Sequence, residues 1–396
     1  MKITNKMLVF RAFSIVLIFG LLLIGCGEYN PDIGAWIDEQ LAKARETTEE
    51  VPANPEPTSP EPSPEPSPEP TADAVAEVNK AADSLEIKTS LETYAEALEL
   101  DLTLYDMLSD GIKDEAVQSM HTSKPYVDKE AIQAAFATKL QAAATAQKNL
   151  SLKFKITQEG SDKAFVEASF NAVHKYIQAI FTTNTTQAQS IIKLDDYIDL
   201  PSLTVAGDAG GGAINKTNVR LIVIGINSFN DKNGNNTPHV VFHFENIPGY
   251  HKMNNTDTNT TGYLLSAMRE YIVNNFLTGL ENAGVPKDIL WPPSRRVASR
   301  GDGTPTAQTV KDDLWLPTAW EMTGAPIVSF ETSSNQVSFA EHYESNTERI
   351  KNSELYWLAS PHAGSGSYFI GVSEYGYTAI YNASLVGGVV PAFCVK

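Results

Sequence analysis

The chain has 396 residues, a formal net charge of −18 at pH 7 and 42% hydrophobic residues, enough for two folded domains with extensions. The excess of Asp and Glu over Lys and Arg argues against nucleic acid as a partner, because phosphate contacts need Lys and Arg. The simpler interpretation of this charge is that it keeps the protein soluble. The chain has only two cysteines, Cys26 and Cys394. If Cys26 carries a lipid, Cys394 stands alone, and neither a disulfide framework nor a cysteine-based zinc site is possible.

The N-terminus predicts an export signal over residues 1–25. A positively charged start precedes the apolar run Met7–Ile24, and Leu23-Ile24-Gly25-Cys26 resembles the lipobox of bacterial lipoproteins. That resemblance implies that Cys26 becomes a diacylglyceryl N-terminus inserted in a lipid bilayer. The alternative is a plain transmembrane anchor of about 18 residues, which the position of the cysteine disfavours. Both place the rest of the chain outside the cytoplasm, and we expect a lipid-anchored protein of the bacterial cell envelope, at the outer membrane or cell surface.

Residues 26–73 predict a linker without a fold. Pro52–Pro70 is a Pro-Glu/Ser repeat, whose prolines favour extended polyproline II and whose glutamates repel one another. At about 3.1 Å per residue this segment reaches about 60 Å. We expect a disordered, semi-rigid Pro-rich stalk.

Residues 74–190 predict a small helix-rich α+β domain that acts as a spacer or binds another molecule. Apolar residues recur at helical spacing over Ala74–Leu108, and Asp128–Leu150 is an Ala-rich helix with Asp128 as N-cap. Alternating apolar residues in Leu152–Thr157 and in Lys163–Phe170 indicate a β-hairpin, followed by a helix over Asn171–Phe181.

Residues 196–396 predict a second domain. Val219–Ile226 and Val240–Phe244 are apolar runs typical of buried strands. Between them, Asp231, Asn233 and Asn235 alternate as oxygen ligands do in calcium loops. The EF-hand glycine and the twelfth-position glutamate are missing, so a hairpin turn is the plainer interpretation and Ca²⁺ the weaker one. No other cofactor is expected.

A helix is predicted over Tyr263–Glu281, capped by Asn259 or Thr261 and ended by Gly284. Trp291–Arg296 is a basic aromatic loop that could hold an anion, although pairing with the domain's own carboxylates is favoured.

The last 85 residues alternate short apolar runs with turns. Thr318 and Glu321 predict a capping box. Strands are expected at Tyr356–Leu358, Tyr368–Val372, Tyr377–Tyr381 and Val389–Val395. Pro391 suits a strand end or bulge, and Cys394, among apolar neighbours, is expected to be a buried inert thiol.

Six sequence pieces carry a family resemblance. In chain order they read NSFNDKNGNN, HVVFHFENIPGYHKMN, NTDTNTTGYLLSAMREYI, LWLPTAWEMTG, YWLASP and GGVVPAFCV. Residues 196–396 thereby resemble the bacterial and phage domain family DUF6273. The family is similar to the C-type-lectin-like fold of retroelement-diversified surface proteins and formylglycine-generating enzymes. The resemblance implies a ligand-display scaffold in which the N- and C-terminal strands pair and irregular loops form the binding face.

No catalytic motif stands out. The chain lacks a G-x-S-x-G elbow and an H-E-x-x-H helix, and the cysteine pair of formylglycine-generating enzymes is missing because only Cys394 is available. We therefore expect a protein that is not an enzyme.

The segment before the last strand has the Tyr-, Ser-, Gly- and Asn-rich composition of adaptable binding surfaces. In the lectin-like proteins this segment forms the ligand face. The expected ligand-binding residues are His362, Tyr368, Ser373, Tyr375, Tyr377, Tyr381 and Asn382. We expect adhesion to, or recognition of, an extracellular protein or glycan. The alternatives are a structural envelope protein and, less favoured, an enzyme of the formylglycine-generating type.

Overall fold

The computed structural model describes residues 70–181, 191–230, 237–299, 306–325 and 337–396, and all structural statements concern these residues. Pro68–Lys396 forms one compact unit. The predicted export signal, Cys26 and most of the predicted stalk lie outside the described residues. None of the described helices is long and apolar enough to cross a membrane.

The first part of the compact unit, up to Phe181, is helical. Side chains cap several of the helices, among them Asp128, whose carboxylate accepts the Ala131 N–H at 2.8 Å as predicted. The helices are α1 Pro70–Lys80, α2 Ser84–Thr93, α3 Thr103–Met107, α4 Asp110–His121, α5 Lys129–Ala146, α6 Leu150–Lys153 and α7 Asp162–Tyr176, which continues as a π-helical turn, Ile177–Phe181.

The predicted hairpin of Leu152–Thr157 and Lys163–Phe170 is wrong. The second of these segments belongs to α7, which Ser161 caps by accepting the Ala164 N–H. This part of the chain forms a helix instead of a strand because its buried apolar side chains recur at a spacing of three and four residues. These side chains are Val166, Phe170 and Val173, and Ile177 in the π-helical turn continues the same spacing.

The part of the compact unit after the helical region contains two larger sheets and one two-stranded sheet, together with a few short helices. The predicted α+β class is therefore confirmed. The first sheet has the order β1-β2-β3-β11, all antiparallel. The second has the order β4-β10-β7-β8-β9, in which only β10 and β7 are parallel. The strands are β1 Tyr197–Val205, β2 Ile214–Ile226, β3 Val240–Phe244, β4 Gly249–Lys252, β5 Arg295–Ala298, β6 Ala307–Val310, β7 Tyr356–Pro361, β8 Tyr368–Val372, β9 Thr378–Asn382, β10 Val386–Val389 and β11 Ala392–Val395. β5 and β6 pair only with each other.

The chain end differs from the single predicted strand Val389–Val395. Val390 and Pro391 separate β10 from β11, and the two strands belong to different sheets. Pro391 thus sits at a strand end, where its missing N–H costs no ladder bond. The last segment of the chain therefore joins the two sheets.

The helix predicted from Tyr263 begins at Ser266, which caps it. It runs as α8 Ala267–Tyr271, a π-helical turn Ile272–Phe276 and α9 Leu277–Ala283. Gly284, at a φ of 109°, ends it as predicted. A short 3₁₀ helix, Lys287–Ile289, and two short helices, α10 Ala319–Thr323 and α11 Asn346–Arg349, complete the fold.

The helical part and the first sheet share an apolar core. The ring of Phe170 in α7 packs against those of Phe242 in β3 and Phe393 in β11, with centroids 5.3 and 6.0 Å apart. Beside this core, Lys153 forms a buried ion pair with Asp196, at the entry to β1. Burial lowers the pKa of Lys153 and raises that of Asp196. The helical part, residues 70–181, is therefore in direct contact with the segment that begins at Asp196.

Candidate functional site

The predicted ligand residues lie on and around the β8–β9 hairpin at the edge of the second sheet. The two strands pair from Val372↔Thr378 to Tyr368↔Asn382. The connecting turn needs glycine at position 376, where φ is 80° and a Cβ would overlap the Asn346 carbonyl. The turn is thus fixed by both its backbone and its neighbours.

The hairpin divides the predicted residues into two groups. Ser373, Tyr375 and Tyr377 lie at the turn; we call them the turn end. His362, Tyr368 and Asn382 lie at the opposite end, which we call the loop end. Five residue steps, from Tyr368 to Ser373 or from Asn382 to Tyr377, separate the two ends, about 17 Å. One copy of the chain therefore carries two small surfaces instead of one continuous site.

The turn end presents two tyrosines on a fixed backbone. Tyr375 and Tyr377 are 67% and 60% exposed, although they follow a strand that is nearly all buried. The Ser373 N–H donates to the Tyr377 carbonyl at 2.8 Å, and Arg349 Nε donates to the Gly376 carbonyl at 3.1 Å. Large aromatic side chains held in this way can contact a partner at low entropic cost.

The loop end contains Asn259, which the sequence suggested only as a helix cap. Its side chain is fully buried and donates to the Tyr368 carbonyl, while its Oδ1 has no partner among the described residues. His362 Nδ1 likewise has no partner there, and the His362 ring stands edge-on to that of Tyr368 at 6.3 Å. Buried polar atoms are rarely left without a hydrogen-bond partner, so these two atoms set the loop end apart from the rest of the sheet. No pattern around residue 259 signals this role.

Tyr381 belongs to neither end. Its ring packs edge-on against the buried Trp357 at 6.1 Å, and burial raises the pKa of its hydroxyl. It therefore supports the hairpin from within the sheet.

The basic aromatic loop pairs with the domain's own carboxylate, as favoured from the sequence. Arg295 is buried and makes two bonds to Glu321, Nε–Oε1 at 2.8 Å and Nη2–Oε2 at 2.6 Å. Glu321 also closes the predicted capping box with Thr318, which is confirmed. The pair fixes α10 against β5 and leaves Arg295 no longer free to hold an anion.

Cys394 is fully buried in β11, and burial raises the pKa of its thiol well above the usual range. The predicted buried thiol is confirmed. Asp231, Asn233 and Asn235 lie outside the described residues, as does Cys26. Within the described part of the chain, no group of three or more His, Cys, Asp or Glu residues is placed to hold a metal ion.

The segment from β3 to the C-terminus matches one known family. Residues 239–396 match DUF6273, a domain of unknown function. The match covers β3 to β11, hence both ends of the hairpin, and starts later than the predicted domain boundary at residue 196. The first strand of the DUF6273 segment, β3, pairs antiparallel with its last strand, β11. No curated protein and no solved structure matches the chain.

Proposed function

We propose that this protein is a cell-envelope lipoprotein that displays its DUF6273 segment as a binding domain for an extracellular protein or glycan. The observation that carries the proposal is the exposure of Tyr375 and Tyr377 on a turn that a buried scaffold holds fixed. Tyrosines that remain in water on a rigid backbone are typical of binding surfaces.

Two further observations support it. The lipobox-like sequence before Cys26 and the Pro-rich stalk of residues 52–70 suit a domain held away from a membrane. The pairing of β3 with β11, the first and last strands of the DUF6273 segment, agrees with the terminal-strand pairing that the resemblance to a C-type-lectin-like fold implies, although β1, the first strand of residues 196–396, pairs with β2 and not with β11. The resemblance to that fold implies that loops ahead of the last strand bind the ligand; the turn end lies ahead of β9, β10 and β11.

A binding screen tests the proposal. The chain from Gly27 to Lys396 keeps the whole compact unit, and we would present it to glycan arrays and to bacterial and host surface proteins, with and without calcium. The variant carries Tyr375→Ser and Tyr377→Ser, and the matched control is Tyr250→Ser on β4, the opposite edge of the same sheet. We expect a saturable ligand whose binding the double variant loses and the control keeps. Equal loss in both, or binding that the double variant retains, contradicts the assignment to the turn end.

A further inference from the structure

Strand β9 is the one outer strand of the two larger sheets that no other described residue covers. β1 is bridged by Asn149, and the Tyr197 N–H donates to the Lys148 carbonyl at 2.9 Å. β11 is bridged by Leu290 and Trp315.

The outer side of β4 is closed in a similar way. There the Lys252 N–H donates to the Gly210 carbonyl at 3.1 Å, so the Asp208–Gly212 loop lies along this strand. β9 pairs only with β8.

The free side of β9 presents backbone hydrogen-bonding groups. The Ser373 N–H donates to the Tyr377 carbonyl and the Ala383 N–H to the Ser367 carbonyl, so residues 377, 379, 381 and 383 direct their backbone groups toward β8. By the alternation of an antiparallel ladder, Thr378 and Ile380 direct theirs outward. A polypeptide strand is the partner whose own N–H and C=O groups match that spacing.

This edge also lacks the usual protection against pairing. From Gly376 to Val386 the sequence has no charged residue and no proline, and Ile380 is 50% exposed. Native edges are normally blocked by Lys, Pro or a covering segment. The nearest carboxylates lie at the two ends of this edge, Glu374 in the turn and Asp257, which accepts the Ser384 hydroxyl. In a chain with a net charge of −18, the uncharged middle of β9, Thr378–Asn382, is therefore a place where two copies can meet without carboxylates facing each other.

We propose that two copies of this chain pair through β9, antiparallel about Ile380, and so extend the five-stranded sheet across a two-fold axis. Ile380 then faces Ile380 of the second copy, and Thr378 faces Asn382. Such a strand is its own complement, as a two-fold interface requires.

The pairing has a consequence for the binding surfaces and goes beyond the function proposed above. Because the strands run antiparallel, the turn end of one copy comes beside the loop end of the other. Tyr377 then neighbours Ala383 of the second copy, near its Asn382 and Tyr368. The two groups of predicted ligand residues, separate in one chain, form two composite surfaces in the pair.

Sedimentation velocity over a range of concentrations tests the proposal on the chain from Gly27 to Lys396. Ile380→Lys places like charges opposite each other in the pair, and Leu265→Lys is the matched control, because Leu265 is 72% exposed and lies outside the sheets. A short strand pair buries less than the roughly 1,200 Å² of stable interfaces, so the association is weak and concentration-dependent. We expect Ile380→Lys to weaken it at least about tenfold, which is about 1.4 kcal/mol, and Leu265→Lys to leave it unchanged.

Disulfide trapping gives a second readout. Residues facing each other in an antiparallel hydrogen-bonded pair have Cα atoms about 5.5 Å apart, within disulfide range. Ile380→Cys is therefore expected to form a covalent dimer under mild oxidation, whereas Leu265→Cys is not. The native Cys394 is buried and does not interfere. A wild-type monomer at all concentrations, a dimer indifferent to Ile380→Lys, or equal trapping by the two cysteine variants overturns the proposal. Ligand binding that depends on the tyrosines is measured separately and can survive any of these results.

Discussion

Lys351 is buried without a carboxylate partner, and this makes stability depend on pH. The residue is 2% exposed, and its Nζ donates to the carbonyls of Phe244 at 2.6 Å and Glu245 at 3.0 Å. The Tyr343 ring lies 5.7 Å away. Burial lowers the pKa of Lys351 to about 7, against an attraction from Glu245 that is too weak to offset it.

The sign follows from proton counting. The pKa of Lys351 is about 7 in the folded chain and 10.5 when unfolded, so between these values the unfolded state binds more protons. Stability therefore rises as pH rises through this window, and it falls as pH drops toward 7, where the buried amine takes up a charge. The limiting slope is about 1.4 kcal/mol per pH unit, and the group adds about 2 kcal/mol between pH 7 and pH 9.

Urea unfolding of the chain from Gly27 at pH 7, 8 and 9 measures this effect. Lys351→Met keeps the length of the side chain and removes the titrating amine. It also leaves two carbonyls without a donor, a loss that lowers stability but does not vary with pH. Only the change with pH is therefore compared, with Lys80→Met, an exposed lysine, as control. We expect the variant to gain about 2 kcal/mol less than wild type and control from pH 7 to 9. Equal gains in all three proteins would refute a neutral buried Lys351.

Three other outcomes are expected. Cys26→Ser abolishes incorporation of radiolabelled fatty acid in expressing bacteria; labelling that persists contradicts the lipobox. Asp196→Asn leaves the buried Lys153 without its counterion and lowers the free energy of unfolding by about 3–5 kcal/mol; a loss under about 1 kcal/mol in urea unfolding shows that the pair is not needed. Tyr377→Ser changes stability by less than about 0.5 kcal/mol, whereas Tyr381→Ser costs about 2–3 kcal/mol; thermal melts that rank the two the other way contradict the assignment of Tyr381 to the scaffold.

Strand positions follow from the sequence where an apolar run is short and bounded by turn residues. Val240–Phe244 and Tyr368–Val372 coincide with β3 and β8. The strands with which they pair cannot be predicted in this way, because register and sheet membership depend on contacts between residues far apart in the sequence. The division of the last strand between two sheets at Val390 and Pro391 is such a case.

The wrong hairpin at α7 has a local cause. Leu152, Phe154 and Ile156 alternate over a stretch too short to distinguish a strand from the end of a helix. Gly160-Ser161-Asp162, between the two segments of the predicted hairpin, has the composition of a turn, but serine followed by an acidic residue is also a helix start. Burial of Phe170 against the first sheet decides in favour of the helix.

The candidate site was predictable in composition but not in arrangement. Tyr375 and Tyr377 follow from the Tyr- and Ser-rich segment, and the structure places both in water. Asn259 was missed because its role depends on the Tyr368 carbonyl, 109 residues away in the sequence. No spacing rule connects positions that far apart.

A chain of hydrogen bonds connects the core to the turn end. Buried His243 in β3 is neutral, because burial lowers its pKa well below the usual range. Its Nε2–H then donates to the Val390 carbonyl at 3.0 Å, at the junction of the two sheets, while its Nδ1 accepts the Tyr343 hydroxyl at 2.5 Å. The Tyr343 carbonyl in turn accepts a bond from Arg349 Nη1 at 2.7 Å.

Arg349 completes the connection, because its Nε donates to the Gly376 carbonyl in the turn. The turn that carries Tyr375 and Tyr377 is therefore held by a guanidinium that also binds the carbonyl of Tyr343, the residue whose hydroxyl bonds to the buried His243. A surface fixed in this way loses little conformational freedom when a partner binds. Its affinity then depends on the exposed side chains, which can change without disturbing the core that positions them.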